Sequence, residues 1–332
     1  MLLLINSLTH MCVDGLCASC LFGKITAESA FFFIITYDTL AFSTQAVVGL
    51  LADRLKNQSV FSAVSVIMII LGWVIPLHPA VRVTLIGLGN SGFHVSGGIM
   101  TLKNSRDKAY PLGVFVAPGA IGLSVGTLFP DSGIFFAIGL GLAAFIYLFA
   151  GKKLESVLSA DNSVEIRRTD MKGALLLTLA VAVRAIGGSA VSFTWKSGNI
   201  SVLLITLFVF LGKFAGGFIC DRAGIKKTAY ISIITASVLT AFLSSYMIPS
   251  IAGQFLLNLT MPITLWLIYK CIPDSPGFAF GLAAAALWPG TITGKLLKLT
   301  GPALWVFILI AFGFGLYAIL HVYSQIDLSK ED

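Results

Sequence analysis

A few side chains that can carry charge lie inside long apolar stretches of this 332-residue sequence. His10 and Asp14 are four residues apart, as are Asn90 and His94, so each pair would share one face of a helix. Arg184 lies in another apolar stretch. A charge buried in hydrocarbon costs roughly 2.5–3.5 kcal/mol, so these residues are candidates for binding or proton transfer. A desolvated carboxyl group can exchange a proton near neutral pH, whereas a guanidinium stays charged and needs an acid or a bound anion as its partner.

Two structural alternatives stay open for these residues. Asp14 and Arg184 could form a buried ion pair that only holds the structure together. His10 and His94 could be hydrogen-bonded packing residues.

Three weaker candidates lie in other apolar stretches. Asp38 could belong to the same site, or it could merely cap or pair near one end of its helix. Asn258 and Trp266 are the polar side chains of the tenth stretch that could face a site.

The cysteines and the known catalytic motifs indicate neither a metal centre nor an enzyme. Cys12, Cys17 and Cys20 could be read with His10 and Asp14 as soft metal ligands, but Cys12 points away from the other two, and free cysteine is a common apolar filler. The sequence has no nucleotide-binding loop, GxSxG elbow or HExxH pair. We therefore expect no metal, no cofactor and no enzymatic activity.

The composition is that of a membrane protein. Hydrophobic residues make up 57% of the chain and charged residues 11%, and the mean hydropathy is +0.94. The net charge of +7 indicates no nucleic-acid partner, because the Lys and Arg residues lie almost entirely in loops. Apolar runs of about 20 residues match the length that an α-helix needs to cross a bilayer.

Twelve such runs predict an all-α protein with twelve transmembrane helices in two halves. The polar stretch 151–172 separates an N-terminal six-helix bundle, 1–150, from a C-terminal one, 173–332. The predicted spans are 3–23, 28–51, 59–77, 80–101, 110–129, 132–150, 173–195, 200–219, 228–247, 250–270, 277–297 and 302–323. Alternate loops that include 151–172 hold 15 Lys and Arg residues, against five in the other loops, which predicts that both termini are cytoplasmic.

One short motif, GxxxDR, follows the second span of each half. The two copies are 168 residues apart, as expected for parallel six-helix repeats. Their residues are Gly49, Asp53 and Arg54 in the first copy, and Gly217, Asp221, Arg222 and Gly224 in the second.

The repeated motif resembles the signature loop of the major facilitator superfamily, GxxxDRxGxK. The second copy matches in full, whereas the first has Lys56 where a glycine would stand. The resemblance implies that each loop acid faces the first turn of span 11 or span 5, where Pro276 and Pro111 lie, and helps to hold the outward-facing state. The alternative is a solvated loop that only fixes topology.

The resemblance implies a secondary active transporter that works by alternating access. Spans 1, 4, 7 and 10 line the central cavity in this superfamily, and three of them carry ionisable residues here. We expect a monomer in the cell membrane that moves a small organic solute, driven by protons, with Asp14 as the coupling carboxylate and Arg184 as the contact to the solute.

Three alternatives stay open for this function. The stretch around Phe93 and His94 is similar to that of fosmidomycin-resistance-type members and favours an efflux antiporter of drugs or metabolites. Arg184 favours an anionic solute, as in an uptake symporter. The non-transport alternative is a membrane sensor or assembly partner.

Two Pro-Gly pairs occupy matching positions in the two halves. Pro118 and Gly119 lie in span 5, and Pro289 and Gly290 lie 171 residues later in span 11. Proline frees a backbone carbonyl and glycine loosens the chain, so we predict hinges at both places.

Overall fold

The computed structural model describes residues 1–105, 107–159 and 169–328, and in these residues every regular element is helical. Six spans precede the linker helix Gly151–Ser159, and six follow it. Spans 1 to 6 are Leu2–Lys24, Ala27–Asp38 continued by Thr39–Ser43 and Gln45–Ala52, Gln58–Val74, Pro79–Lys103, Tyr110–Leu128, and Gly133–Phe149 after the 3-10 turn Pro130–Ser132. Spans 7 to 12 are Met171–Ala190, Gly198–Ala223, Ile225–Phe242, Met247–Leu259 with Met261–Cys271, Pro276–Leu296 and Gly301–Leu328.

The outer surface of this bundle suits a lipid environment. Eight of the described spans are long and apolar enough to cross a membrane by length and composition. Large apolar side chains that point outward and are highly exposed include Phe31, Phe135, Phe149, Ile200 and Ile248. These features indicate a multi-pass membrane protein.

The predicted span limits need correction at several places. Span 2 is interrupted by the π-helical turn Thr39–Ser43, and span 10 breaks at Thr260, two residues before Pro262. A proline lacks the N–H that would continue the helix, so a new helix begins there. Spans 7 and 9 end five residues earlier than predicted, at Ala190 and Phe242.

The predicted loop 151–172 is partly helical. The linker helix Gly151–Ser159 occupies its beginning, and span 7 already starts at Met171. Residues 160–168 of this loop lie outside the described residues.

Glycines let span 5 pack directly on span 1, and span 11 packs on span 7 in the same way. A Cβ atom at Gly122 or Gly126 would collide with backbone atoms of span 1, including the carbonyl oxygen of Gly15. A Cβ atom at Gly290 or Gly294 would collide with backbone atoms of span 7. These close helix pairs, which resemble small-residue packing in membranes, occur once in each half and reflect the internal repeat.

The two halves meet closely at one face of the bundle, which we call the motif face because it carries the loops 53–57, 104–109, 221–224 and 272–275. There the backbone of Gly49 touches that of Gly277, and Gly217 touches Tyr110. One turn further in, the rings of Phe115 and Phe280 lie 5.9 Å apart. The space between the halves is therefore closed toward the motif face.

Candidate functional site

A cavity of about 330 Å³ lies between the two halves. Most of its wall is apolar, but five ionisable side chains face it. His10, Asp14 and His94 come from the N-terminal half, and Arg184 and Lys213 come from the C-terminal half. The charged groups of the cavity are thus divided between its two walls.

His10, Asp14 and His94, the His-Asp-His cluster, are within reach of one another. The Nε2 atom of His10 lies 3.3 Å from Oδ2 of Asp14, and the Nε2 atom of His94 lies 3.6 Å from Oδ1. The two imidazole rings meet edge to face with their centres 4.3 Å apart. All three side chains are largely buried. The structure thereby brings together two residues of span 1 and one of span 4.

Both imidazole rings use their other nitrogen on the backbone. Nδ1 of His10 lies 2.8 Å from the carbonyl oxygen of Phe115, and Nδ1 of His94 lies 3.0 Å from that of Asn90. A carbonyl oxygen only accepts hydrogen bonds, so we assign the proton to Nδ1 in both rings, which leaves a lone pair on each neutral Nε2. Both lone pairs then face a carboxylate that also only accepts. The cluster therefore needs an additional proton or a cation at its centre.

Asn90 fixes the carboxylate from the side. Its Nδ2 donates to Oδ1 of Asp14 at 3.1 Å and to the hydroxyl oxygen of Tyr37 at 2.9 Å, and Sγ of Cys17 lies 3.9 Å away. Asn90 is fully buried. The amide therefore orients Asp14 without supplying the charge that the cluster lacks.

The opposite wall carries two cations. Nη1 of Arg184 donates to Oγ1 of Thr260 at 2.6 Å. Within the described residues, neither Arg184 nor Lys213 has a carboxylate oxygen within 4.0 Å, so the ion pair between Asp14 and Arg184 is not formed. Two cations without a carboxylate partner can attract an anion into the cavity.

Lys213 was missed by the sequence reasoning. It is the only charged side chain in the long apolar stretch of span 8 before Asp221, and this isolation was the signal that could have found it. Its charge interacts with Asp14 and His94 across the cavity.

Four predicted site residues do not line the cavity. Asn90 lies behind Asp14, to which it donates a hydrogen bond. Asp38 interacts electrostatically with Lys295 of span 11. Asn258 donates to the carbonyl oxygen of Gln254 within its own helix, and Trp266 is buried against other side chains. Span 10 instead lines the cavity with Met261, Thr264 and Leu265. Asn258 belongs to the helix before the break at Thr260, whereas Trp266 shares the helix Met261–Cys271 with these lining residues but lies on another face of it.

The acids of the repeated motif lie at helix N-termini of the opposite half. Asp53 accepts hydrogen bonds from the backbone N–H groups of Gly277 and Phe278 at 2.7 and 3.0 Å. Asp221 accepts from those of Ala109 and Tyr110 at 2.8 and 3.0 Å. A carboxylate is stabilised at the positive end of a helix dipole.

The two loops differ in their turn and yet reach the same geometry. Gly224 has a φ of +84°, a conformation that suits glycine, whereas the first loop turns with a hydrogen bond from Leu55 N to the Ala52 carbonyl. Arg54 and Arg222 follow the two acids on the surface of this face. Burial raises the pKa of Asp53, although its two N–H partners favour the charged form.

The predicted hinges lie inside continuous helices. Pro118 is within Tyr110–Leu128, and Pro289 is within Pro276–Leu296. Gly119 lies against the His-Asp-His cluster, and Gly290 lies against span 7. The two glycines thus allow close packing, and their role as hinges stays a prediction.

Solved structures match this fold over nearly the whole chain. No protein-family profile and no curated protein matches the sequence. A crystal structure of the major facilitator superfamily transporter FucP in the outward conformation has a TM-score of 0.66 at 10% identity, covering 97% of this chain and 98% of that chain. A variant of the E. coli fucose:proton symporter FucP has a TM-score of 0.62 at 11% identity, covering 96% and 97%. The chain therefore has the fold of the major facilitator superfamily.

Proposed function

We propose that this protein is a secondary active transporter that moves a small organic anion by alternating access and couples the movement to protons. The observation that carries the proposal is the division of the cavity. A cluster that needs a proton faces two cations that lack an acid partner. One wall would then exchange protons, and the other would hold the solute.

Asp14 is the proposed coupling residue. It is the only carboxylate among the described residues that line the cavity, and His10 and His94 are positioned to share its proton. Adding or removing that proton changes the charge of the cavity, and with it the attraction for an anion at Arg184 and Lys213.

Arg184 and Lys213 are the proposed solute contacts. A guanidinium binds a carboxylate or phosphate through two parallel hydrogen bonds, whereas an ammonium acts as a compact point charge. The apolar remainder of the wall, with residues such as Val181 and Leu287, suits the carbon skeleton of an organic anion.

We further propose that the motif face is cytoplasmic, because its loops belong to the set of alternate loops, including 151–172, that holds 15 Lys and Arg residues against five in the other loops. The hydrogen bonds of Asp53 and Asp221 would then close the cytoplasmic side, as in an outward-facing state. The bundles 1–150 and 173–332 would rock against each other once these bonds break.

The likeness to FucP supports this proposal in general terms. FucP is a proton symporter for a sugar. Proton coupling on the same fold is therefore physically reasonable, while the two cations in this cavity favour an anion over a sugar as the solute.

A ligand screen followed by a flux assay tests the proposal. Small carboxylates, phosphates and sulfonates are screened by thermal shift against the purified protein, with neutral sugars as the matched control, because a bound ligand raises the apparent stability. The best ligand is then offered to proteoliposomes under an imposed pH gradient. We expect accumulation; the polarity of the effective gradient distinguishes symport from efflux by antiport.

A sensor or assembly partner predicts a different outcome. It would bind a ligand in the thermal-shift screen but carry no flux in proteoliposomes. Binding without flux would therefore refute the transport function.

A further inference from the structure

We propose that His10, Asp14 and His94 also form a binding site for a divalent transition-metal ion such as Zn²⁺ or Co²⁺. This inference deepens the proposed function, since it concerns the same cavity, but metal binding can be measured without transport. The three ligand atoms all lie within 4.8 Å of one another. The sequence alone indicated no metal site, because nothing in it paired His94 with span 1.

The distances between the ligand atoms fit one ion. Zinc bonds of about 2.0–2.2 Å in a tetrahedral site place neighbouring ligand atoms roughly 3.3–3.6 Å apart. The two measured distances start from different oxygens of Asp14, 3.3 Å from Oδ2 to Nε2 of His10 and 3.6 Å from Oδ1 to Nε2 of His94, so the carboxylate would turn one oxygen toward the ion or bind it with both. An ion could therefore be bound after small side-chain adjustments.

The groups behind the ligands also match a metal site. Histidines that bind metals usually donate their second N–H to a carbonyl or carboxylate, which points the lone pair at the ion. Both histidines have this arrangement, with the carbonyl groups of Phe115 and Asn90 as acceptors. The side chain of Asn90 in addition holds the carboxylate of Asp14.

The backbone of span 5 leaves room beside the ligands. A Cβ atom on Gly119 would come within 2.5 Å of both Oδ2 of Asp14 and Nε2 of His10. Only a glycine at this position keeps that space free. The three ligands also line the cavity, so a fourth coordination position is open to water or to the solute.

The ligand atoms favour one class of ion, and the surrounding charges favour one kind of fourth ligand. Two imidazoles and one carboxylate suit Zn²⁺, Co²⁺ or Ni²⁺ better than Mg²⁺ or Ca²⁺, which prefer oxygen ligands. Lys213 and Arg184 add positive charge to the cavity, and the hydroxyl of Tyr37 and the thiol of Cys17 lie behind Asn90. The two cations would favour an anion, such as a solute carboxylate, as the fourth ligand.

Protons and the metal ion compete for the same atoms. The ion needs both Nε2 lone pairs and the ionised carboxylate, which are the positions that a proton would occupy. Binding should therefore weaken as the pH falls. Metal binding can be compared in acidic and neutral samples of the same protein.

The test is a titration of the purified full-length protein, in detergent and with a tag that contains no histidine, with Co²⁺ alone. We expect one Co²⁺ per chain, the visible absorption of a four-coordinate ion, and displacement by Zn²⁺. His10→Gln, His94→Gln and Asp14→Asn should each weaken binding at least about tenfold, as ligand loss does in other sites. His321→Gln is the matched control, because His321 is exposed and stacks on Tyr317.

Gly119→Ala is the second variant. It keeps all three ligands but fills the space beside two of them, so it should also abolish the absorption of bound Co²⁺. Elution volume and unfolding temperature check that each variant is folded. The proposal is overturned if the wild-type protein binds no Co²⁺, or if binding is the same in His10→Gln and His94→Gln as in His321→Gln.

The metal site and the transport function fail separately. Co²⁺ binding without solute flux would support the metal site and refute the transporter. Proton-driven flux without Co²⁺ binding would refute the metal site and leave a proton site.

Discussion

The cavity wall formed by spans 1 and 4 differs from the wall formed by spans 7 and 8 in how its polar groups are partnered. On the first wall, His10, His94 and Asn90 all converge on the carboxylate of Asp14. On the second wall, Arg184 has one hydroxyl partner and Lys213 has no carboxylate within 4.0 Å in the part of the chain that the structure describes.

In the proposed function, the first wall exchanges protons and the second wall binds the solute. A wall whose acceptor atoms already converge on one point can bind a small ion, such as a proton, with little rearrangement. A wall whose cations have no carboxylate partner can use their charge to bind a ligand. The comparison can be tested by changing one wall at a time.

The largest effect is expected from the second wall. Arg184→Met removes a cation that donates charge-assisted hydrogen bonds worth about 1.5–3 kcal/mol, so the best carboxylate of the thermal-shift screen should bind about 10- to 100-fold more weakly. Lys213→Met should have the same direction of effect. Isothermal titration measures both.

Two control variants accompany this prediction. Arg184→Lys keeps the charge and should recover part of the affinity. Lys196→Met removes a cation between spans 7 and 8 and should leave the affinity unchanged. Unchanged binding in Arg184→Met would mean that the solute lies elsewhere.

The next effect concerns stability and should be larger in the first wall. Asn90→Leu leaves the buried Asp14 and Tyr37 without their donor, which costs about 1–3 kcal/mol and should lower the unfolding temperature. Thr260→Val removes only one acceptor from Arg184, which also reaches the open cavity, and should cost less. Differential scanning calorimetry measures the unfolding temperatures of both variants. A larger decrease in Thr260→Val than in Asn90→Leu would contradict the prediction.

Substitutions in the two motif loops should have smaller effects, and the effects should be similar in the two loops. Asp53→Asn and Asp221→Asn each remove a carboxylate from a helix N-terminus, an interaction worth about 0.3–1 kcal/mol and up to about 2 kcal/mol when partly buried. Each should shift the population toward a motif face that is open. Distances between spin labels on the two halves of that face would measure the shift.

The similar hydrogen-bond distances of the two acids predict shifts of similar size. If only Asp221→Asn shifted the population toward an open motif face, the second copy of the motif alone would hold that face closed.

The smallest effect is expected at a contact between the two halves. The hydroxyl groups of Ser124 and Thr206 lie 2.6 Å apart across the halves. Ser124→Ala should cost about 0.5–1.5 kcal/mol or less, since one net hydrogen bond is lost at a half-buried position. The solute affinity should stay within a few-fold of the wild-type value, and a tenfold loss would show that Ser124 binds the solute.

Much of the fold could be predicted from the sequence. Apolar run length predicted the twelve spans, which depend on a local feature, the hydrophobic length of each helix. The resemblance of the repeated motif to the superfamily's signature loop implied which helix ends lie opposite Asp53 and Asp221. The π-helical turn Thr39–Ser43 was not predicted, because the apolar run around it continues without a break in the sequence.

The site was only partly predictable. Spacing along one helix joined His10 to Asp14, but only the packing of span 4 on span 1 adds His94, which completes the cluster. Asn258 and Trp266 were expected in the cavity because they are the polar side chains of span 10, but residue type does not show which face of a helix lines the cavity, and Met261, Thr264 and Leu265 line it instead.

The central claim is that Asp14 couples protons to solute movement, and one measurement tests it most directly. Accumulation of the best carboxylate is followed in proteoliposomes with an imposed pH gradient. The variant is Asp14→Asn, and the matched control is Asp38→Asn, an acid of the same half that lies outside the cavity. We predict that the wild type and Asp38→Asn concentrate the solute, whereas Asp14→Asn only equilibrates it. Undiminished gradient-driven accumulation by Asp14→Asn would contradict the claim.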